Sequence, residues 1–417
     1  MDPTTQETTA SAGEPQATAA AGRVRELDAL RGVALVGILM VNILVLGQPS
    51  LRYVLEPGYW EGGADRAAFF GVHFLFRGQF ITLFSFLFGV GFAMMAGRLI
   101  EKGVAFRWVY GRRVAMLLAF GLVHVLALWY GDILVTYALC GMLLPLFLNR
   151  SERTLKVWIG VALLLPVVGA GVMAALTHAA HWAPEWGDGL LALYASAEER
   201  AEQDLEFLLS GYAASSFGEV FRARMTEAAY LGNDVIQVPY VFALFLLGVL
   251  VGQRGYPHRL AELMPAWRRW LPLLLGAGFT LNAFWYLVEG WVNPFHPDVR
   301  TVLWAALFVT ATPFLAAGYA VTFLHFYGTR GAGVLGRGLA AMGQMALTNY
   351  LLQSVVATSI FYGYGLGLYG QLGPAALVGL AMAILLLQMG GSAWYLRHFR
   401  RGPLEWLWRR VTYGRAP

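Results

Sequence analysis

The residues with chemical potential lie inside or beside apolar stretches. In GLVHVLALWYGDILVTYALCG, residues 121–141, His124 and Asp132 flank the approach to a tight turn near Gly131. A neutral imidazole in apolar surroundings can accept a proton, and a carboxylate within reach fixes its tautomer and stabilises the charged ring. The expected catalytic pair is therefore His124 as general base and Asp132 as its orienting group. The same spacing fits a purely structural arrangement, in which Asp132 caps the next helix and His124 hydrogen-bonds to a neighbouring span.

Other polar groups could recognise a substrate. Asp28 and Arg31 are three residues apart at the start of an apolar run, with Asn42 eleven residues beyond Arg31. Ionisable groups near a hydrocarbon core normally face a bundle interior or a ligand, although helix capping by Asp28 and snorkelling by Arg31 give the same pattern. In GVHFLFRGQF, His73 and Arg77 sit one turn apart and Gln79 follows, which suits either a polar vestibule or an interfacial helix start. GQMALTNYLLQS places Gln344, Thr348, Asn349, Gln353 and Ser354 in or near one apolar helix. These groups need partners in lipid; interhelical hydrogen bonding meets that need, and Asn349 with Gln353 could instead line a cavity. The expected substrate-binding residues are Asp28, Arg31, Asn42, Arg77, Gln79 and Asn349. His178 and His181 have metal-like spacing without a third ligand, and HExxH, GxxxxGK[ST] and G-x-S-x-G are absent, so no metal and no bound cofactor are expected.

The elements that must hold these groups are membrane helices. Hydrophobic residues make up 58% and charged residues 13% of the 417 positions, which excludes an ordinary soluble domain. Apolar runs near 29–48, 68–97, 114–130, 133–148, 157–178, 234–252, 270–288, 301–326, 339–361 and 373–396 have about the length that a roughly 30 Å hydrocarbon core requires. The expected fold is all-α, a polytopic helical membrane protein of about ten transmembrane helices. With both termini inside, 22 of the 30 basic residues fall in inner segments, as positively charged cytoplasmic loops require. The basic clusters are short and dispersed, so the pI near 9.3 indicates topology and no nucleic-acid partner.

Four regions follow: a disordered cytosolic arm over 1–22, a five-span half with the candidate site over 23–178, an outer loop with an amphipathic helix over 179–233, and a second five-span half over 234–417. Gly89, Ala93 and Gly97 form one small-residue stripe and Gly248 with Gly252 another, which lets helices approach closely. The closing RHFRRGPLEWLWRRVTYGR alternates aromatics with arginines and is expected at the inner interface, with Glu405 paired to a neighbouring arginine.

LDALRGVALVGILMVNI, FITLFSFLFGVGF, HVLALWYGDILVTYALCG, MALTNYLLQS and FRRGPLEWLWRRVTY together resemble the YeiB-like family of bacterial inner-membrane proteins of unassigned function. More remotely, LDALRGVALVGILMVN is similar to the opening of the transmembrane acyltransferase superfamily, which includes heparan glucosaminide acetyltransferases. In the O-acetyltransferase branch a His stands where this chain has Asn42; the glucosaminide branch also has Asn there, followed by a catalytic His that this chain lacks between Asn42 and His73.

The resemblance implies a multi-pass protein of the bacterial cytoplasmic membrane. It would take an acyl group from cytosolic acyl-CoA and give it to a hydroxyl or amine of an envelope sugar or lipid at the outer face. Arg31 with Asp28 would recognise the donor, Asn42 would polarise the carbonyl and His124 would be the base. The alternative is a non-enzymatic transporter or a protein that binds lipid or another small amphiphile. The bilayer is the expected partner in either case, and homodimerisation stays open.

Overall fold

The computed structural model describes residues 24–56, 58–230 and 234–414, so the arm expected at 1–22 lies outside the described residues. The helices run in the order α1 (Arg25–Gly47), α2 (Arg52–Leu55), α3 (Gly63–Phe76), α4 (Gln79–Glu101), α5 (Phe106–Val123), α6 (Leu134–Leu143), α7 (Glu152–Ala180), α8 (Pro184–Ala213), α9 (Phe217–Ala229), α10 (Asp234–Gln253), α11 (Leu260–Arg269), α12 (Leu271–Glu289), α13 (Val299–Arg330), α14 (Gly333–Gln344), α15 (Ala346–Phe361), α16 (Pro374–His398) and α17 (Pro403–Tyr413). No strand occurs among the described residues.

Eight helical segments have the length and apolar composition to cross a membrane, which makes this a multi-pass membrane protein. Two of the ten expected runs are instead short apolar helices, Leu134–Leu146 and Ala346–Phe361. The first is bounded by the Gly131–Asp132 turn and by Pro145, which sits in a closing 3-10 turn. The second exists because the run expected over 339–361 breaks at Met345, between α14 and α15. The run expected over 68–97 breaks at Arg77–Gly78, where Gly78 takes φ +88, a value open to glycine at no steric cost.

Helix starts follow local chemistry. Ser151 Oγ accepts from Thr154 N at 3.2 Å to open α7, and Asp298 forms a capping box with Thr301 to open α13. Proline stands in the first turn of α8, α16 and α17, where its missing N–H costs nothing. The stretch 179–233 holds two helices, α8 and α9, where one amphipathic helix was expected.

In the C-terminal tail the pairing expected for Glu405 is replaced by a cap. Its carboxylate accepts from Leu347 N at 2.7 Å, Thr348 N at 3.0 Å and Thr348 Oγ1 at 2.6 Å, and so satisfies the start of α15. Trp408 Nε1 donates to Arg113 O at 2.7 Å, while the Arg113 guanidinium stacks 3.8 Å over the Trp408 ring, which docks α17 on α5.

The two small-residue stripes meet each other, joining α4 to α10. A Cβ built on Gly89 would lie 2.1 Å from Phe245 O, and one on Gly248 would lie 2.2 Å from Phe86 O. Gly97 has nothing within 4 Å and takes no part in this contact. Gly89→Ala is expected to cost about 1–3 kcal/mol or more through overpacking against backbone, whereas Gly97→Ala leaves stability unchanged. Melting temperature and monodispersity in detergent check both; equal behaviour of the two variants contradicts the close approach.

Candidate functional site

The site is built at the end of α5. After Val123 the chain widens into a single π-helical turn, His124–Leu128, in which Trp129 N donates to His124 O at 2.9 Å. Such turns inside α-helices recur at functional positions because they re-aim one residue. The chain then extends at Trp129, turns through Gly131 and Asp132, and starts α6. Gly121 lets the turn close: a Cβ there would lie 2.7 Å from Val135 N and 3.0 Å from Asp132 Oδ2.

This hairpin brings the expected catalytic pair together. His124 Nδ1 lies 3.0 Å from Asp132 Oδ1, and both side chains are 0% exposed. The contact is off the line of a linear hydrogen bond, a looseness common in unliganded sites. Asp132 Oδ2 also accepts from Val135 N at 2.7 Å, so the capping role and the histidine contact coexist.

The other face of the imidazole meets a partner that the sequence did not single out. His124 Nε2 lies 2.7 Å from Ser354 Oγ, across 230 residues of chain, and Ser354 is buried on α15. The result is a buried carboxylate–imidazole–hydroxyl chain. Two rings close around it: Tyr350, with its centroid 5.2 Å from the His124 ring, and Trp129, edge-on at 6.3 Å. Tyr350 Oη and Trp129 Nε1 are buried, and neither donates a hydrogen bond among the described residues. The only sequence signal for Ser354 is its place in the polar run Thr348–Asn349–Gln353–Ser354.

The remaining expected residues divide among other contacts. Arg31 donates to Asp28 at 3.0 Å at the start of α1, and Asn42 lies on the same face of that helix, roughly 16 Å further along at 1.5 Å per residue. Asn42 is half-buried, and its side chain makes no hydrogen bond among the described residues. Arg77 pairs with Glu289, while Gln79 donates to Asn282 at 3.0 Å; both tie the α3–α4 break to α12. Asn349 donates to Met342 O and Ser392 Oγ, each at 3.0 Å, and thereby braces the α14–α15 break against α16.

Around Arg31, half-buried arginines gather. Arg31 and Arg98 both act by repulsion on Arg113, while Arg401, Arg113 and Arg98 act on Arg409. Burial, with Arg401 next in weight, holds the Arg409 guanidinium down to about 10, and its Nε and Nη2 have no hydrogen-bond partner among the described residues.

Comparison with known proteins places the chain. Residues 251–415 match the model of a protein family of unknown function, DUF418. The chain is 35% identical over 410 residues to the uncharacterised protein YxaH of Bacillus subtilis, covering 94% of each chain. It is 30% identical over 393 residues to the uncharacterised protein YeiB of Escherichia coli, covering 93% of this chain and 95% of that one. The chain belongs to the YeiB-like DUF418 family. No solved structure is significantly similar. In this YeiB-like chain the family-model match contains Ser354 and the C-terminal tail, while both full-length relatives span the His124 hairpin region as well.

The hairpin is covered by α9. Arg224, fully buried, donates from Nη1 to Leu126 O in the π turn, and the buried Glu227 one turn later accepts from Ser50 N at 2.6 Å. Burial raises the Glu227 carboxyl above its ordinary 4.5, against the lowering effect of its hydrogen bond from Ser50 N. For an acid raised in the folded state, the stabilising contribution is complete below the unfolded value and is lost as pH rises through the folded one. Melting temperature is therefore expected to fall as pH rises above the ordinary carboxylate range, by a component that Glu227→Gln removes. Parallel pH profiles for the two proteins contradict this.

Proposed function

We propose that this YeiB-like protein is an integral membrane acyltransferase. It takes an acyl group from a cytosolic thioester of the acyl-CoA type and passes it to a hydroxyl or amine of an envelope sugar or lipid at the outer face of the bacterial inner membrane. The observation that carries this reading is the His124 ring held between Asp132 Oδ1 at 3.0 Å and Ser354 Oγ at 2.7 Å. A carboxylate beside Nδ1 favours the proton there and leaves the Nε2 lone pair to act as a base. His124 thus removes the acceptor proton and Asp132 orients the ring.

The arginines support the donor end. Arg31, Arg98, Arg113, Arg401 and Arg409 form a concentration of positive charge that suits the phosphates of a coenzyme A donor. Asn42, on the Arg31 face of α1, lies along a path from that end. The excess of basic residues in alternate connections supports a cytosolic placement for both termini. Coenzyme A is here a substrate, and no resident cofactor takes part.

One observation favours a second reading, a protein that holds or moves a lipid without chemistry. An apolar groove between α6, α7 and α10, lined by Leu139, Leu143, Trp158, Ala162, Pro239 and Phe242, fits an acyl tail, whereas the His124 side chain is closed off. The two readings separate on the purified protein in detergent. Acyl transfer predicts that acyl-CoA raises the melting temperature, by the equivalent of about 2.7 kcal/mol at a hundredfold excess over Kd, and that Arg31→Ala abolishes the rise. It also predicts that His124→Ala lowers coenzyme A release by about 10²–10⁴-fold in a folded protein. No rise and no release with short or long acyl-CoA, alongside stabilisation by phospholipid, supports the second reading.

A further inference from the structure

Several hydroxyls in this bundle turn back on their own backbone. Thr82, Thr177, Thr310, Thr312, Thr322, Thr329, Ser359 and Thr412 each donate to the carbonyl four residues earlier on their own helix. That is the ordinary resting place of a Ser or Thr hydroxyl in a membrane helix. Ser354, like Ser85 towards Tyr137, bonds across helices instead: the bond it makes among the described residues goes to His124 Nε2 at 2.7 Å. A proton on Nδ1, the nitrogen that faces the Asp132 carboxylate, makes Nε2 the acceptor and the serine hydroxyl the donor. A hydroxyl donating to an imidazole that is itself oriented by a carboxylate is the arrangement that activates serine as a nucleophile on unrelated folds.

The surroundings supply the second requirement. A serine that attacks a carbonyl needs donors aimed at the oxygen on which negative charge develops. Tyr350 precedes Ser354 by one helical turn on α15, and Trp129 follows the π turn that carries His124. Both rings pack on the imidazole; Trp129 Nε1 is buried without a hydrogen-bond partner among the described residues, and Tyr350 Oη, which the Ile133 backbone N–H faces, donates to no acceptor there. Donors left unpaired in an apolar interior are costly, about 1–3 kcal/mol each; Tyr212, Tyr369 and Trp285 carry such groups elsewhere, and Tyr350 and Trp129 are the two that flank the His124 ring, where an incoming carbonyl oxygen would take them.

We propose that Ser354 is the covalent nucleophile of a two-step transfer, and that Tyr350 Oη and Trp129 Nε1 bind the carbonyl oxygen in both steps. This rests on the acyl-transfer reading above. In the first step Ser354 Oγ bonds to the carbonyl carbon of the acyl thioester, His124 Nε2 takes the hydroxyl proton, the C–S bond breaks and the proton leaves with the thiolate as free thiol. In the second step the acceptor hydroxyl or amine attacks the serine ester and His124 takes its proton. The ester C–O bond then breaks, and the proton returns to Ser354 Oγ.

The test is intact-protein and peptide mass spectrometry of the full chain in detergent after incubation with acetyl-CoA or palmitoyl-CoA and no acceptor. An acyl group on Ser354 is expected, absent from Ser354→Ala and His124→Ala, with coenzyme A released in equal amount. A fluorophosphonate, which labels activated serines whatever their natural donor, is expected to modify the same residue. Steady-state release by Ser354→Ala, shown folded by its melting temperature, is expected to fall at least about a thousandfold. Tyr350→Phe is expected to slow both steps while leaving acyl-CoA stabilisation intact. If Ser354→Ala keeps turnover that His124→Ala loses, and no adduct forms, transfer is direct: the nucleophile proposal falls and the acyltransferase reading stands. If wild type takes neither the acyl group nor the fluorophosphonate and releases no coenzyme A, both fall.

Discussion

Asp132 is fastened through one oxygen and turns the other to the His124 ring, and the centre of the molecule depends on that. One carboxylate oxygen accepts from Val135 N at 2.7 Å at the start of α6, and the other lies 3.0 Å from His124 Nδ1. A carboxylate in an apolar bundle is expensive to leave uncompensated, so the turn, the start of α6 and the placement of the imidazole beside Oδ1 are linked. The imidazole then reaches α15 through Ser354, and a hairpin formed from neighbouring residues is locked to a helix more than 200 positions away.

α15 is held to match. Glu405 caps its first turn from the C-terminal tail, Asn349 ties it to Met342 O and Ser392, and Gln353 donates to Gln388 at 3.0 Å. These bonds account for most of the polar groups in the MALTNYLLQS stretch and leave Ser354 as the one turned towards the histidine. The tail that reads as an interfacial anchor is therefore also part of the scaffold that sets the serine in place. α9 completes it on the far side, where Arg224 grips the π turn and Glu227 grips Ser50.

The helices were legible because twenty apolar residues in a row leave few alternatives, and the His124–Asp132 pair was legible because a short turn separates its members. Ser354 was not legible as a partner. Hydropathy tells which residues leave water but not which helix faces meet, and the serine lies in the other half of the chain. For the same reason Arg77, Gln79 and Asn349 looked alike as candidates, yet they settle on Glu289, Asn282 and Ser392 in contacts that brace helix breaks. The Gly89 and Gly248 stripes were visible separately; that they pack on each other is a tertiary fact.

The central claim is that His124 presents a free Nε2 lone pair to Ser354 because Asp132 holds the proton on Nδ1. Nitrogen NMR of ¹⁵N-histidine protein in lipid, with His124 assigned by comparison with His124→Gln, measures this directly. The account predicts an Nδ1-protonated ring whose pattern shifts to the other tautomer in Asp132→Asn. A proton resident on Nε2 in the wild-type protein, donated to Ser354, would make the histidine a structural donor and contradict the account.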